Sequence, residues 1–210
     1  MKRLFWEDPY MKGCKAKVKS VDGKGVELEG TCFFAFSGGQ QSDSGSIGGI
    51  PVVNAEKKGD TIVYILEREP EFGEGDTVDV EIDWEKRNRI MRLHSAAHIV
   101  WFFAEKKLAT RKLIGSNVTE EKARIDYEYP ESLAPLLPGI EGEVNVFISE
   151  SHPIKTYADE GDPMKRWLEC GEFRCPCGGT HLRDAKEIGK IKLKRKNIGG
   201  GKERIEITLA

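Results

Sequence analysis

Two short stretches carry residue types that could do chemistry together. The first is His94-Ser95-Ala96-Ala97-His98 and the second is Cys177-Gly178-Gly179-Thr180-His181. Imidazoles four residues apart fall on one face of an α-helix, a turn apart, so both can address one ion. A thiolate and a third imidazole complete a set of three nitrogens and one sulfur, which suits zinc. The chain holds 4 histidines, and all but His152 fall in these two motifs. His152 precedes Pro153 and reads as a turn residue. A second arrangement stays open: Cys170, Cys175, Cys177 and His181 could form a local, closed structural site. That arrangement would leave His94 and His98 without a role.

What is missing narrows the chemistry. Zinc proteases of the H-E-x-x-H type need a glutamate beside the first histidine, where this chain has Ser95. Nucleobase deaminases pair H-x-E with P-C-x-x-C, whereas Pro176-Cys177 is followed here by Gly-Gly-Thr-His. With no adjacent protein base, water would be activated by the ion or by groups on the substrate. No Gly-Lys-Ser/Thr follows the glycine-rich run Ser37–Gly49, so a nucleotide P-loop is not supported. That run reads as a hairpin loop or as a loop that reaches a substrate, because glycines permit close backbone approach.

The elements that must position these residues divide the chain in two. Up to residue 83 the pattern is β: Cys14–Val21, Val26–Glu29, Thr31–Phe36, Pro51–Ala55, Thr61–Leu66 and Thr77–Ile82 read as short strands. Asp22-Gly23, Gly59-Asp60 and Gly75-Asp76 punctuate them, which suggests a small closed barrel. Asp83 is a good N-cap for a helix from Trp84 to about Leu108, continuous or broken before His94. Gly115–Tyr129 reads as a turn and a strand or two, Glu131–Leu137 as at most a short helix, and Glu143–Ile148 alternates like a strand. Asp159–Leu168 predicts a short helix. Ile188–Arg195 and Glu203–Leu209 read as a strand pair turning at Gly199-Gly200-Gly201. Lys190, Lys192, Lys194 and Lys196 alternate and make one face of the first strand basic.

The 210 residues suffice for one large domain or two small ones. Lys and Arg total 33 against 35 Asp and Glu, a net charge of -2 that excludes a globally basic nucleic-acid binder. An odd count of 5 cysteines fits metal chemistry in a reducing compartment better than a disulfide framework. No stretch reaches the apolar length of a signal peptide or a membrane span, so the expectation is a cytoplasmic protein without a membrane partner.

Read jointly, the histidine pair, the Cys-Gly-Gly-Thr-His stretch and Phe34-Ala35-Phe36-Ser37-Gly38-Gly39-Gln40-Gln41-Ser42-Asp43-Ser44-Gly45 resemble the editing domain of alanyl-tRNA synthetases. Asp83…Arg87, Ile125-Asp126-Tyr127 and Glu187-Ile188-Gly189 fit the same pattern. With no room for a catalytic synthetase portion, the likeness is to the free-standing editing proteins, and to their medium-length class. The resemblance implies an α+β fold: a small N-terminal β-barrel over 1–83 with its glycine-rich loop, then an α/β sandwich editing domain over 84–210 carrying one zinc ion. It implies an aminoacyl-tRNA deacylase that cleaves serine, or glycine, from mischarged alanine tRNA and spares the alanyl ester. Such a second pocket answers a need, since a site for alanine rejects serine poorly. The resemblance makes His94, His98, Cys177 and His181 the zinc ligands, with a zinc-activated water and no protein base. Gly38, Gly39 and Gln40 would reach the pocket mouth. Polar residues in 111–119 would read the amino acid; Leu113 stands where the synthetases carry glutamine, leaving Ser116 and Thr119 as candidates. Arg87, Arg92, Lys192 and Lys194 are candidates for tRNA phosphates. The competing expectation is an RNA-binding accessory module with a structural zinc and no hydrolysis.

Overall fold

The computed structural model describes residues 1–108 and 112–210, and these divide into two compact units. The first comprises Met1–Ser37 and Gln41–Asn88; the second comprises Gly38–Gln40 and Arg89–Ala210. The division falls after Asn88 rather than Asp83, and Gly38–Gln40 group with the second unit.

In the first unit, β1 (Lys2–Arg3), β2 (Gly13–Asp22), β3 (Gly25–Leu28), β4 (Gly30–Thr31), β5 (Gly45–Ile47), β6 (Ile50–Lys58), β7 (Thr61–Leu66) and β8 (Thr77–Ile82) follow in order. Six of them close into a barrel in the order β2-β3-β7-β6-β5-β8. Alternation fills it: Ala16, Val18, Val26, Leu28, Ile62, Tyr64, Leu66, Val78 and Val80 point inward and are buried. The strand expected over Thr31–Phe36 is confined to β4. Side chains take the backbone groups that a ladder would have used. Phe33 N–H donates to Thr31 Oγ1 (3.0 Å), Phe34 N–H to Asp43 Oδ2 (2.7 Å), and Cys32 O accepts from Arg87 (2.8 Å).

The long helix α1 (Trp84–Lys107) is unbroken. Asp83 caps it by accepting from the Lys86 N–H at 3.1 Å. In the second unit come β9 (Leu113–Val118), β10 (Ala123–Glu128), α2 (Leu137–Ser149), β11 (Ile154–Ala158), β12 (Arg166–Cys170), β13 (Phe173–Pro176), β14 (Ile191–Gly199) and β15 (Lys202–Leu209). They form a sheet ordered β14-β15-β10-β9 and a smaller one ordered β11-β12-β13. The alternation in Glu143–Ile148 misled: these residues lie in α2. Leu137, Ile140, Val144 and Ile148 are buried at helical spacing, while Val146 is 57% exposed. Pro138 sits in the first turn, where its missing N–H costs nothing, and so starts the helix. The helix expected over Asp159–Leu168 is a turn leading into β12. Asp159 holds that turn by accepting from Trp167 Nε1 (2.6 Å) and Gly161 N–H (3.1 Å).

Candidate metal centre

Helix α1 supplies His94 and His98, and the loop after β13 supplies Cys177 and His181. Their donor atoms all lie within 4.8 Å of one another. Cys177 Sγ stands 3.5 Å from His94 Nε2 and 3.4 Å from His181 Nε2. The imidazole centroids are 4.3 to 5.2 Å apart. Cys170 is not in this group, so the local cysteine arrangement is not the one that the fold assembles.

The backbone is shaped to let these side chains meet. A Cβ at Gly179 would stand 2.4 Å from both the His94 ring and Gln40 Oε1, so only glycine fits between them. Gly39, at φ +83, lies so close to β9 that a Cβ would meet the Ser116 carbonyl at 2.7 Å. That approach is held by Val118 N–H and Asn117 Nδ2 donating to Gly39 O at 2.8 and 2.9 Å.

Gln40 is 1% exposed and works behind the cluster, not at a pocket mouth. Its Oε1 lies 2.8 Å from His94 Nδ1 and accepts from Thr180 N–H (2.9 Å), while its Nε2 donates to Thr180 Oγ1 (2.8 Å). An amide oxygen only accepts, so His94 carries its proton on Nδ1 and keeps the Nε2 lone pair facing Cys177. Cys175 Sγ stands 3.3 Å from His98 Nδ1, and Ser95 Oγ accepts from Leu182 N–H (3.2 Å).

The electrostatics prepare a cation site. Burial holds His94 and His181 well below the ordinary imidazole range, with neighbouring histidines adding to it, and lowers His98 to about 4. All three rings are therefore neutral and able to ligate near pH 7. Burial pushes the Cys177 thiol up to about 11. His98 Nε2 and His181 Nδ1 are buried without any hydrogen-bond partner. Neutral imidazoles beside a thiol, with the buried His98 Nε2 left unsatisfied, fit a soft divalent ion.

The cluster opens on a cavity of about 430 Å³ lined by Ala97, Trp101 and Glu105 of α1, by Leu113, Ser116, Val118 and Ile125, and by Gly38 and Pro176. Pairing explains the strand side: Ser116 lies opposite Ile125, Val118 opposite Ala123 and Leu113 opposite Tyr127. Ile114 is the extra residue of a bulge, which returns Leu113 to the cavity face.

Of the other sequence candidates, Gly38 and Ser116 line this cavity. Thr119 does not: its hydroxyl closes the β9–β10 turn by donating to Lys122 O (3.0 Å). Arg111 lies outside the described residues. Arg87 is fully buried, ion-paired with Asp43 and donating to Pro9 O (2.9 Å) and Cys32 O (2.8 Å), so no phosphate can reach it. Arg92 spends Nε and one terminal nitrogen on Ile188 O at 2.9 and 2.8 Å. Lys192 and Lys194 are exposed on β14. Gln40, Trp101, Glu105 and Cys175 were not read in these positions. For Trp101 and Glu105 the signal was present, since 94, 98, 101 and 105 share one helical face.

The class follows from comparison with known sequences. Residues 166–206 match the family described as the threonyl and alanyl tRNA synthetase second additional domain. Across 91% of the chain there is 34% identity to an alanine–tRNA ligase of Aeropyrum pernix, and across 98% there is 32% identity to one of Methanococcus maripaludis. The chain spans only 24% and 25% of those ligases. It is also 37% identical, over 99% of its length, to the alanyl-tRNA editing protein AlaX-M of Pyrococcus horikoshii, 97% of which is covered. The chain belongs to the AlaX family of alanyl-tRNA editing proteins. The resemblance read from its motifs is thereby borne out. No helix among the described residues is long and apolar enough to cross a membrane.

Proposed function

We propose that the chain is a trans-editing deacylase that hydrolyses the ester of serine, or glycine, on mischarged alanine tRNA and spares the alanyl ester, acting in the cytoplasm. One observation carries the reading: four side chains able to hold a metal ion are gathered within 4.8 Å, and three of them, His94, His98 and Cys177, line an apolar cavity sized for a small ligand.

His94, His98, Cys177 and His181 would hold one zinc ion, which when bound polarises an ester carbonyl or seats the attacking water. With four protein donors in place, this chemistry would need a substrate oxygen or water beside them. The chain's own groups do the rest. Gln40 fixes the His94 tautomer, and the apolar walls Ala97, Val118 and Ile125 limit water to what the reaction uses. The hydroxyl of Ser116 is the polar group on the strand wall that can pair with a seryl side chain. An alanyl ester would leave that pairing unmade, which lowers its share of transition-state binding. Leu113 stands where the synthetases are expected to carry glutamine, so Ser116 takes up the reading of the amino acid.

The test is a parallel time course on alanine tRNA charged with serine, glycine or alanine. Seryl-tRNA should be deacylated at least about 100-fold faster than alanyl-tRNA, the scale that a recognised hydroxyl supplies. Equal rates for serine and alanine, or RNA binding with no hydrolysis by the zinc-loaded protein, would overturn the proposal.

A further inference from the structure

Beyond the four donors, the cavity carries two side chains that the reaction leaves without a task. His94, His98, Trp101 and Glu105 follow one another on α1 at intervals of four, three and four, a single stripe facing the same cavity. At a helical rise of 1.5 Å per residue, Trp101 lies about 4.5 Å and Glu105 about 10.5 Å along the axis from His98. Trp101 is half-buried, and its aromatic contact is with Phe173, edge to face at 6.4 Å. No aromatic ring among the described residues stacks parallel to it. Glu105 has no ion pair or hydrogen bond among the described residues, yet its carboxylate lies near enough to the buried Tyr127 to affect that hydroxyl. Apolar side chains of the strands, Leu113, Val118 and Ile125, complete the walls.

The order along the stripe is therefore a metal-ligating cluster, a flat indole, then a bare carboxylate. An aminoacylated tRNA presents matching groups in the same order: an ester, the ribose that bears it, and a terminal adenine with an exocyclic amine. That amine lies roughly a nucleoside's length, on the order of 10 Å, from the ester, comparable to the span of the stripe. A base offers a π face to any aromatic platform, and its amine donates to a carboxylate.

We propose that Trp101 and Glu105 form the subsite for the terminal adenosine: the indole stacks on the base and the Glu105 carboxylate accepts from the exocyclic amine. The proposal rests on the deacylase reading and deepens it. The subsite holds the nucleoside while the ester lies at the cluster, which makes the amino-acid pocket dependent on a correctly seated base.

Binding tests it without requiring turnover. The probes are adenosine carrying serine through an amide at its 3′ position, and the same compound built on purine riboside, where a hydrogen replaces the amine and no donor remains on that edge. Calorimetry on the zinc-loaded protein should show the adenosine compound binding on the order of 10-fold tighter than the purine riboside one, which leaves Glu105 without a donor. Glu105→Ala should abolish that preference. Trp101→Leu, which keeps apolar bulk but removes the π face, should weaken both compounds roughly 10- to 100-fold, the scale of one stacked base. Metal content per chain reports that each variant is folded. Equal affinities for the two compounds in the unaltered protein, or variants that bind as it does, would overturn the subsite. Binding of the amide with the expected preference, but no hydrolysis of seryl-tRNA, would instead leave the subsite standing and remove the deacylase reading.

Discussion

Arg87 and His94 belong to the same helix but to different compact units, and the buried polar groups around them follow opposite rules. Around Arg87 each donating nitrogen is used: Nε on Asp43, one terminal nitrogen on Pro9 O, the other on Cys32 O and Asp43. Asp43 in turn accepts from the Phe34 N–H. That set is complete. Around His94, three neutral imidazoles and a thiol are crowded together, with His98 Nε2 and His181 Nδ1 unpartnered. Buried polar atoms without partners cost free energy unless something else satisfies them. The first cluster needs no further group; the second leaves His98 Nε2 with a cost that a bound cation would offset.

The largest effects should come from breaking each cluster and finding different losses. His98→Ala or Cys177→Ala should remove the metal and reduce deacylation on the order of 1000-fold, read by metal analysis beside initial rates. A variant lacking metal but turning over at the full rate would sink the zinc assignment. Arg87→Ala leaves Asp43 buried and unpaired, so denaturant unfolding should show a loss of about 3–5 kcal/mol. Metal bound per folded chain should stay unchanged. If Arg87→Ala instead lost metal without losing stability, the contrast between the two clusters would collapse.

A smaller effect sharpens the comparison from inside the second cluster. Gln40→Ala removes the acceptor that orients His94, and metal affinity measured by chelator competition should fall roughly 10- to 100-fold. Affinity should also follow pH with a defined slope. With the Cys177 thiol pushed up to about 11 and His98 lowered to about 4, the metal-free cluster between pH 6 and 8 is a thiol with neutral imidazoles. An ion holds the thiolate, so one proton leaves, and affinity should rise about tenfold per pH unit. Release of two or more protons would mean that imidazoles are charged before the ion binds.

Much of this was legible in the residues, for reasons that separate the cases. The four donors could be read because few other side chains ligate zinc and their spacing has one helical meaning. The barrel strands could be read because burial on one face writes itself as alternation, as in Thr77–Ile82. Glu143–Ile148 misled because Val144 and Ile148 satisfy a period of 2 and a spacing of four alike. Only burial of Ile140 and exposure of Val146 decide between them. Arg87 looked like one more cation in a basic run, since its partners Asp43, Pro9 and Cys32 are distant in sequence. Gln40 was found in the right motif but given the wrong task. A tripeptide shows that a loop comes close, not which side of a histidine it meets.

The smallest expected effect concerns the exposed strand β14. Lys192 lies opposite Thr208 and Lys194 opposite Glu206, and Glu206 is already engaged by Lys122 at 2.7 Å. Among the described residues neither Lys192 nor Lys194 has an ion pair, so both remain open to a phosphate, in contrast to Arg87 and to the largely committed Arg92. Replacing both by alanine should weaken tRNA binding only a few-fold at low salt. The informative quantity is the slope: the fall of log affinity with log salt should become shallower by about 0.7–0.9 per phosphate contact removed. An unchanged slope would show that this face of the sheet does not meet the RNA backbone, and that the charge alternating along β14 serves only to keep an edge strand solvated.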